Sequence, residues 1–439
     1  METDEPLAFL EARERFLPIP TPLIFERVLR DPRFSDGERR QLDTLFEMTQ
    51  ARFHFEFLEQ IERMKILYDP FDPDRDTLPL RVLSGEERES QFAELERGFR
   101  KLLIDGNYVE LSRDQLLACL ELQPFGGLAI QVDLDEYADL HVFYRGLRWE
   151  ERPCPFRIFP WRPKHRKVRV FKRVALLVRT IEKGEDVVLL KLFKDVVLED
   201  LKMTTPRVRI QMPVFAKLKI GCTVGGSLFA PLLKLAMAAA FNTLLFVVVL
   251  GGCVVAFVKG VFSFLSSKTK YMQTLSSSLY FQNMANNVTA LTRLVDAAEA
   301  EEAKELLLAY FTLYIERDRD YTMEELDQRV EQWLSEQFKL DIDFEVGDAV
   351  RKLVEKDLMV QRVVPAAAAA EREIPGEDVS AGVGPQESAP RRILKVYDLP
   401  TTLRRLDEWW DNYFTANNEC DPASDRLADG DWPPFPEGA

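Results

Sequence analysis

The sequence predicts an α+β membrane protein with three parts: an N-terminal body of helices and a small sheet, a transmembrane helical hairpin, and a C-terminal winged-helix-like domain. Three observations predict it. Residues Ile220 to Leu265 form an apolar run charged only at Lys234 and Lys259. Before that run, helical periodicity gives way near residue 128 to segments rich in β-branched and aromatic residues. After it, three helical patterns precede two strand-like runs, the element order of a winged helix.

A chain of 439 residues has room for two or three domains. Its net charge of −15 argues against non-specific nucleic-acid binding. The five cysteines are scattered without a C-x-x-C pair, which predicts reduced thiols. The start, Met1-Glu2-Thr3-Asp4-Glu5, is acidic and lacks the basic and apolar regions of a signal peptide. Insertion is therefore expected to depend on the internal segment, with the N-terminal domain in the cytoplasm.

The N-terminal domain, 1–215, opens with helices. Arg39–Tyr68 carries Leu42, Leu45, Phe53, Phe57 and Ile61 at mixed helical spacing and must stop at Asp69-Pro70-Phe71-Asp72-Pro73. Glu86–Ile104 stops at the turn signal Asp105-Gly106-Asn107. Strand-like runs follow at Leu140–Tyr144, Val168–Thr180 and Val187–Leu192. The three histidines have no metal-ligand spacing, so His54 reads as a surface or core-edge residue. Asp69, Asp72, Asp74 and Asp76 resemble the start of a calcium loop, but its glycine and bidentate glutamate are missing. A polar loop is the simpler reading.

Arg152–Arg173 holds nine Lys/Arg and no acid, interleaved with Phe156, Phe159, Trp161 and Phe171. Arg162, Lys164, Arg166, Lys167, Arg169, Lys172 and Arg173 are the candidate contacts to anionic lipid headgroups. The alternative is a solvated loop and the first residues of a strand.

The segment 216–266 is expected to cross a membrane. Its longest uncharged stretch, Leu235–Val258, is 24 residues; as a helix it reaches about 36 Å, against a hydrocarbon core of about 30 Å. It could span once, over 235–258, or fold as a hairpin of 220–240 and 243–264 turning near Asn242-Thr243. Lysines and arginines on both flanks favour the hairpin. So do the small residues Gly221, Gly225, Gly252 and Ala256 at helix-packing spacing. Pro231 and the tight turn weigh against it.

The C-terminal domain, 267–364, starts with a long helix, Asn287–Ile315, which Asn286 and Asn287 could cap. Thr322-Met323-Glu324-Glu325 is a capping box opening the next helix, and a third runs from Asp343 to about Lys356. Strand-like Leu358–Val364 is separated from its partner by a 365–390 insertion rich in Ala, Pro, Gly and Glu, expected to be disordered. A wing strand and terminal helix occupy 391–416, and an acidic, proline-rich tail occupies 417–439. Residues 285–364 carry 10 Lys/Arg against 19 Asp/Glu, so DNA phosphates would be repelled and a protein partner is the better expectation.

Several strings recur together in one known family. They include Phe53-His54-Phe55-Glu56, Tyr144-Arg145-Gly146, Lys191-Leu192-Phe193-Lys194-Asp195, Tyr280-Phe281-Gln282-Asn283, Leu291-Thr292-Arg293-Leu294 and Trp410-Asp411-Asn412-Tyr413-Phe414. Over roughly residues 10–415 the chain resembles the transmembrane protein 143 family, whose shared region is a domain of unknown function. The resemblance implies a membrane protein, commonly with two spans, and brings no established activity, cofactor or catalytic residue. The acidic start departs from the mitochondrial members and points to a bacterial inner membrane.

The leading functional expectation is a membrane-anchored interaction or regulatory protein that engages a protein partner through its acidic C-terminal domain. The alternatives are a lipid-headgroup-binding protein or enzyme using the 152–173 patch, and a single-span signal transducer. Nothing in the sequence marks a catalytic, cofactor-binding or metal-binding residue: no P-loop, G-x-S-x-G, H-E-x-x-H or Cys/His cluster is present. Homo-oligomerisation is left open.

Overall fold

Helices form where apolar residues repeat at helical spacing and end where capping or proline chemistry ends them. In the computed structural model the described residues are 13–78, 83–123, 125, 129–153, 165–182, 185–206, 209–211, 280–364 and 391–413, with isolated positions between 255 and 273. The chain divides into two compact units. One comprises Met1–Ile24, Phe53–Glu305 and Asp327–Glu345; the other comprises Phe25–Arg52, Leu306–Leu326 and Val346–Ala439.

The helices are α1 (Thr21–Leu29), α2 (Asp36–Tyr68), α3 (Gly85–Asp105), α4 (Arg113–Glu121), α5 (Asn287–Ile315), α6 (Met323–Phe338), α7 (Val346–Glu355) and α8 (Leu399–Tyr413). The strands are β1 (Val109–Glu110), β2 (Ala129–Gln131), β3 (Asp139–Pro153), β4 (His165–Glu182), β5 (Glu185–Val197), β6 (Arg209–Gln211), β7 (Asn283–Asn286), β8 (Met359–Val364) and β9 (Arg391–Val396). Ser84 with Glu87, and Ser112 with Gln115, close reciprocal capping boxes at the starts of α3 and α4. Thr322 and Glu325 do the same for α6, with Glu325 N donating to Thr322 Oγ1 at 3.3 Å.

The first unit is built on a five-stranded antiparallel sheet in the order β1-β3-β4-β5-β7. Strand residues alternate between faces. Val174, Leu176 and Val178 of β4, with Val142 and Tyr144 of β3, pack on Leu116 and Cys119 of α4 and on Leu198 and Leu201. On the other face Phe143, paired in register with Ala175, meets the Phe99 ring of α3 edge-on at 6.0 Å. Burial pushes the Cys119 thiol up to about 12, so it behaves as a small apolar side chain.

Both edges of this sheet are closed mainly by side chains. Beyond the short β5–β7 pairing, Arg88 donates to the Asp186 carbonyl and the Tyr68 hydroxyl to the Val188 carbonyl, each at 2.8 Å. Leu190 N donates to Asn287 Oδ1 at 3.2 Å. Asn287, left-handed at φ 50°, also donates to Asp74 Oδ2 at 2.5 Å. Its amide thus ties β5 to the aspartate loop instead of capping α5 as expected. At the β3 edge, Leu111 N donates to the Val142 carbonyl at 2.9 Å and Leu147 N to Glu14 Oε2 at 3.1 Å. Between these points sits Gly146 at φ 70°, where a Cβ would lie 2.8 Å from that of Lys172. Each of these bonds occupies a ladder group that would otherwise be open to another strand.

The N-terminal segment is held by a buried polar node. Lys304 Nζ, on α5, donates to the Leu17 carbonyl at 2.7 Å and pairs with Glu301 one turn earlier. Glu301 Oε2 accepts from Leu17 N at 3.1 Å and from the Asn107 amide at 3.3 Å. Asn107 also donates to Glu305 at 2.7 Å, and the Arg145 guanidinium stacks between Phe16 and Tyr108, 4.0 and 4.6 Å from their ring centroids. Glu301 and Lys304 are almost wholly buried. Burial lowers the pKa of Lys304, and Glu301 opposes the shift.

In the second unit Phe25 stacks on Phe46 at 4.1 Å, and Phe34 lies 6.2 Å from Tyr314. Strands β8 and β9 pair antiparallel from Met359↔Val396 to Val364↔Arg391. The Leu394 amide joins them to Tyr321 at 2.9 Å, and the Tyr310 hydroxyl meets Thr402 Oγ1 of α8 at 3.0 Å.

Two expectations are corrected here. The described structure is mixed α/β around the antiparallel sheet, not the membrane fold predicted, and no helix among the described residues is long and apolar enough to cross a membrane. The same finding removes the basis for placing the chain in a bacterial inner membrane. The longest helices, α2 and α5 at 33 and 29 residues, carry charge along their length: α5 alone holds Arg293, Asp296, Glu299, Glu301, Glu302, Lys304 and Glu305, of which the last four are buried within the protein. Of the run 220–265, only Val255, Val258, Lys259 and Phe262 are among the described residues. Gly221, Gly225, Gly252 and Ala256 lie outside them.

Replacing Lys304 by Met leaves the buried Glu301 carboxyl without its cation. The variant is expected to lose about 3–5 kcal/mol of stability in urea unfolding, while Lys304→Met with Glu301→Leu recovers most of it. Equal losses in the single and double variants would show that the pair does not matter as a pair.

Candidate functional site

Beyond the end of β5 at Val197, strands β3 and β4 continue together as a two-stranded ribbon, with Trp149 opposite Arg169, Glu151 opposite Lys167 and Pro153 opposite His165. One face is anchored: Val168 and Val170 are buried with Val197 and Phe125. The other face turns outward. Trp149 is 63% exposed, and the Arg169 guanidinium stands 4.8 Å from its ring centroid.

The predicted headgroup contacts separate on this ribbon. Arg166 pairs with Glu199 at 3.2 Å, and Lys172 with Asp195 at 2.9 Å and Glu150 at 3.6 Å. Arg173 donates to the Lys172 carbonyl at 2.8 Å and is half-buried. Lys167 is exposed across from Glu151. Arg162 and Lys164 lie outside the described residues. Burial pushes Glu150 up, but Arg148 and Arg152 outweigh it and hold the carboxyl below its usual range. Of the nine basic residues counted over 152–173, Arg152, Arg166 and Lys172 are answered by Glu150, Glu199 and Asp195.

A second feature is a pocket of about 780 Å³ where β1, the start of α4 and the beginning of β3 meet. His141 forms part of its wall. Nδ1 lies 2.9 Å from Glu110 Oε1 and Nε2 3.3 Å from Glu96 Oε1. Arg100 bridges the two carboxylates, 2.9 Å from Glu110 and 3.0 Å from Glu96. Burial pushes Glu110 up, yet donation from Arg100 and His141 leaves it below the usual carboxylate range. With each ring nitrogen facing a carboxylate, the imidazole holds β1 and β3 to α3. Sequence reasoning passed over this cluster because its members are dispersed over residues 96–141 and share no spacing.

The other flagged residues have structural partners. His54 is exposed and lies 3.2 Å from Glu299. In the aspartate loop, Asp74 N donates to Asp72 Oδ1 at 3.0 Å and Arg75 pairs with Asp69 at 3.4 Å. The acidic C-terminal charge is also partly compensated. In the first unit, Arg13 binds Glu331 at 3.1 Å and Asp341 at 2.9 Å, and Arg15 pairs with Asp343 and Glu345. In the second, Lys352 binds Asp348 at 2.6 Å and Arg405 pairs with Asp357. Asp327 Oδ1 is buried without a hydrogen-bond partner among the described residues. Burial pushes it up to about 6, Glu331 and Asp343 push the same way, and Arg13 opposes them.

With this geometry in view, the sequence model of a family described as "Protein of unknown function (DUF3754)" matches residues 137–289. The match takes in β3, β4, β5 and β7, and so the ribbon and the β3 side of the pocket. It does not single out the transmembrane protein 143 family. No solved structure matches the chain.

An acid with a raised folded-state pKa favours folding below its unfolded value, and that contribution is lost as pH rises through the folded value. For Asp327 the window runs from about 4 to about 6. The shift would be worth about 3 kcal/mol unscreened; partial exposure reduces it to about 1 kcal/mol. Asp327→Asn is therefore expected to raise the melting temperature at pH 7.5 by a few degrees and to leave it unchanged at pH 4. A gain of equal size at both pH values would contradict the charge argument.

Proposed function

We propose that this chain is an interaction or regulatory protein that docks an acidic protein partner on the outward face of the β3–β4 ribbon. The observation that carries this reading is the exposed Trp149 with Arg169 stacked on it. Tryptophan and arginine are the residues on which interface energy concentrates, and a ring already held by a guanidinium loses little freedom on binding. On the same face Arg169 and exposed Lys167 outnumber Glu151, and residues 154–164, which join the two strands, contain Arg157, Arg162 and Lys164 and no acid. An acidic partner surface complements both.

The ribbon is favoured over the acidic C-terminal region because Arg13, Arg15, Lys352 and Arg405 already answer much of that region's charge. It is favoured over a lipid-headgroup site because Arg166 and Lys172 are engaged by carboxylates. The family match brings no catalytic activity.

A photocrosslinking residue at Glu151, beside Trp149 on the outward face, should give a discrete protein adduct in native extracts. Trp149→Ala and the pair Lys167→Glu, Arg169→Glu should each reduce that adduct at least about tenfold, corresponding to about 1.4 kcal/mol or more of binding, with unchanged melting curves. An adduct insensitive to both variants, or none at all, would refute this docking face.

A further inference from the structure

The pocket beside His141 has a charge pattern that restricts what can occupy it. At about 780 Å³ it falls within the range of small-molecule sites. Its apolar wall comes from Leu111, Leu116, Leu134, Tyr137 and Leu140, the first two and Tyr137 being buried. Two of its carboxylates are already engaged: Glu110 by Arg100 and His141, and Asp139 by Arg179 at 3.5 Å. Two lining charges remain, Arg113 and Asp135, both exposed and neither ion-paired with any described residue.

Both stand on short, internally bonded elements. Arg113 is the first residue of α4, whose start is fixed by the Ser112–Gln115 capping box. Asp135 lies in a 3-10 turn fixed by its own amide donating to Asp133 Oδ1 at 3.2 Å. A ligand with one charge would pair with only one of these groups, and a purely apolar ligand with neither. A ligand carrying both signs on an apolar frame satisfies each.

We infer that this pocket binds a small zwitterion with an apolar side chain, that is, an apolar α-amino acid or a short peptide of such residues. Arg113 takes the carboxylate, Asp135 takes the ammonium, and the leucines with Tyr137 receive the side chain. His141, fixed by Glu96 and Glu110, keeps β1 and β3 in place around the ligand as a positioning residue. The inference stands apart from the ribbon reading and shares no residue with it.

The test is calorimetric titration of the full chain with L-leucine, L-phenylalanine and leucyl-leucine. Phenethylamine and 3-phenylpropionate, each lacking one charge, serve as half-ligands. At least one zwitterion should bind with a dissociation constant of about 1 mM or below, and the half-ligands at least about tenfold more weakly. Arg113→Met and Asp135→Asn, both at exposed positions that spare the fold, should each weaken the zwitterion at least about tenfold. Absence of binding at about 10 mM to protein with a normal melting curve would overturn the inference. So would half-ligand binding as tight as that of the zwitterion, or binding unchanged in both variants.

Discussion

The first unit depends on the buried ion pair between Glu301 and Lys304. Their helix supplies one half of the contact; the other half is backbone from residues 17 and 19 and the amide of Asn107, nearly two hundred residues away in sequence. A charge pair removed from water is costly unless every remaining hydrogen-bonding position is filled. Here the carboxylate accepts from a backbone N–H and a side-chain amide, and the ammonium reaches two carbonyls. The same residues that neutralise each other therefore anchor the N-terminal segment, and that segment delivers Glu14 to the β3 edge at Leu147. Helix, terminus and sheet edge form one chain of contacts.

A second constraint is what happens at the sheet edges. β5 and β3 are long, while their outer neighbours β7 and β1 cover only a few residues. Side chains take over where the ladder stops: Arg88, Tyr68 and Asn287 on one side, Glu14 on the other. This explains the chemistry of the 68–74 stretch better than cation binding does. Tyr68 and Asp74 tie this stretch to β5 and to Asn287 at the start of α5. The ribbon beyond Val197 is left without such covering, and it carries the exposed Trp149.

Much of the secondary structure was legible. Asn287–Ile315 is helical over the range its apolar spacing predicts, α2 stops at the prolines after Tyr68, and the Thr322 capping box closes as its spacing requires. These are local effects, decided within one or two turns. The site was much less legible. Within the basic run 152–173, a sequence count cannot see that Arg166 meets Glu199 and Lys172 meets Asp195, because those carboxylates arrive from other elements of the fold. His141 looked isolated because Glu96 and Glu110 reach it only through the packing of α3 and the pairing of β1 with β3. The membrane expectation rested on the length and composition of an apolar run, whereas no helix among the described residues is long and apolar enough to cross a membrane.

The sequence by itself determined where helices start and stop, which strands alternate and where the turns fall. Capping, proline geometry and hydrophobic period act between near neighbours, so they can be read from near neighbours. The tertiary structure alone decided which charges are neutralised and which stay free. Lys304 became a buried anchor, Lys172 a partner of Glu150 and Asp195, and Arg113 and Asp135 the uncommitted pair of a pocket. Coulomb interactions and desolvation depend on distance in space and on access to water, and the fold sets both.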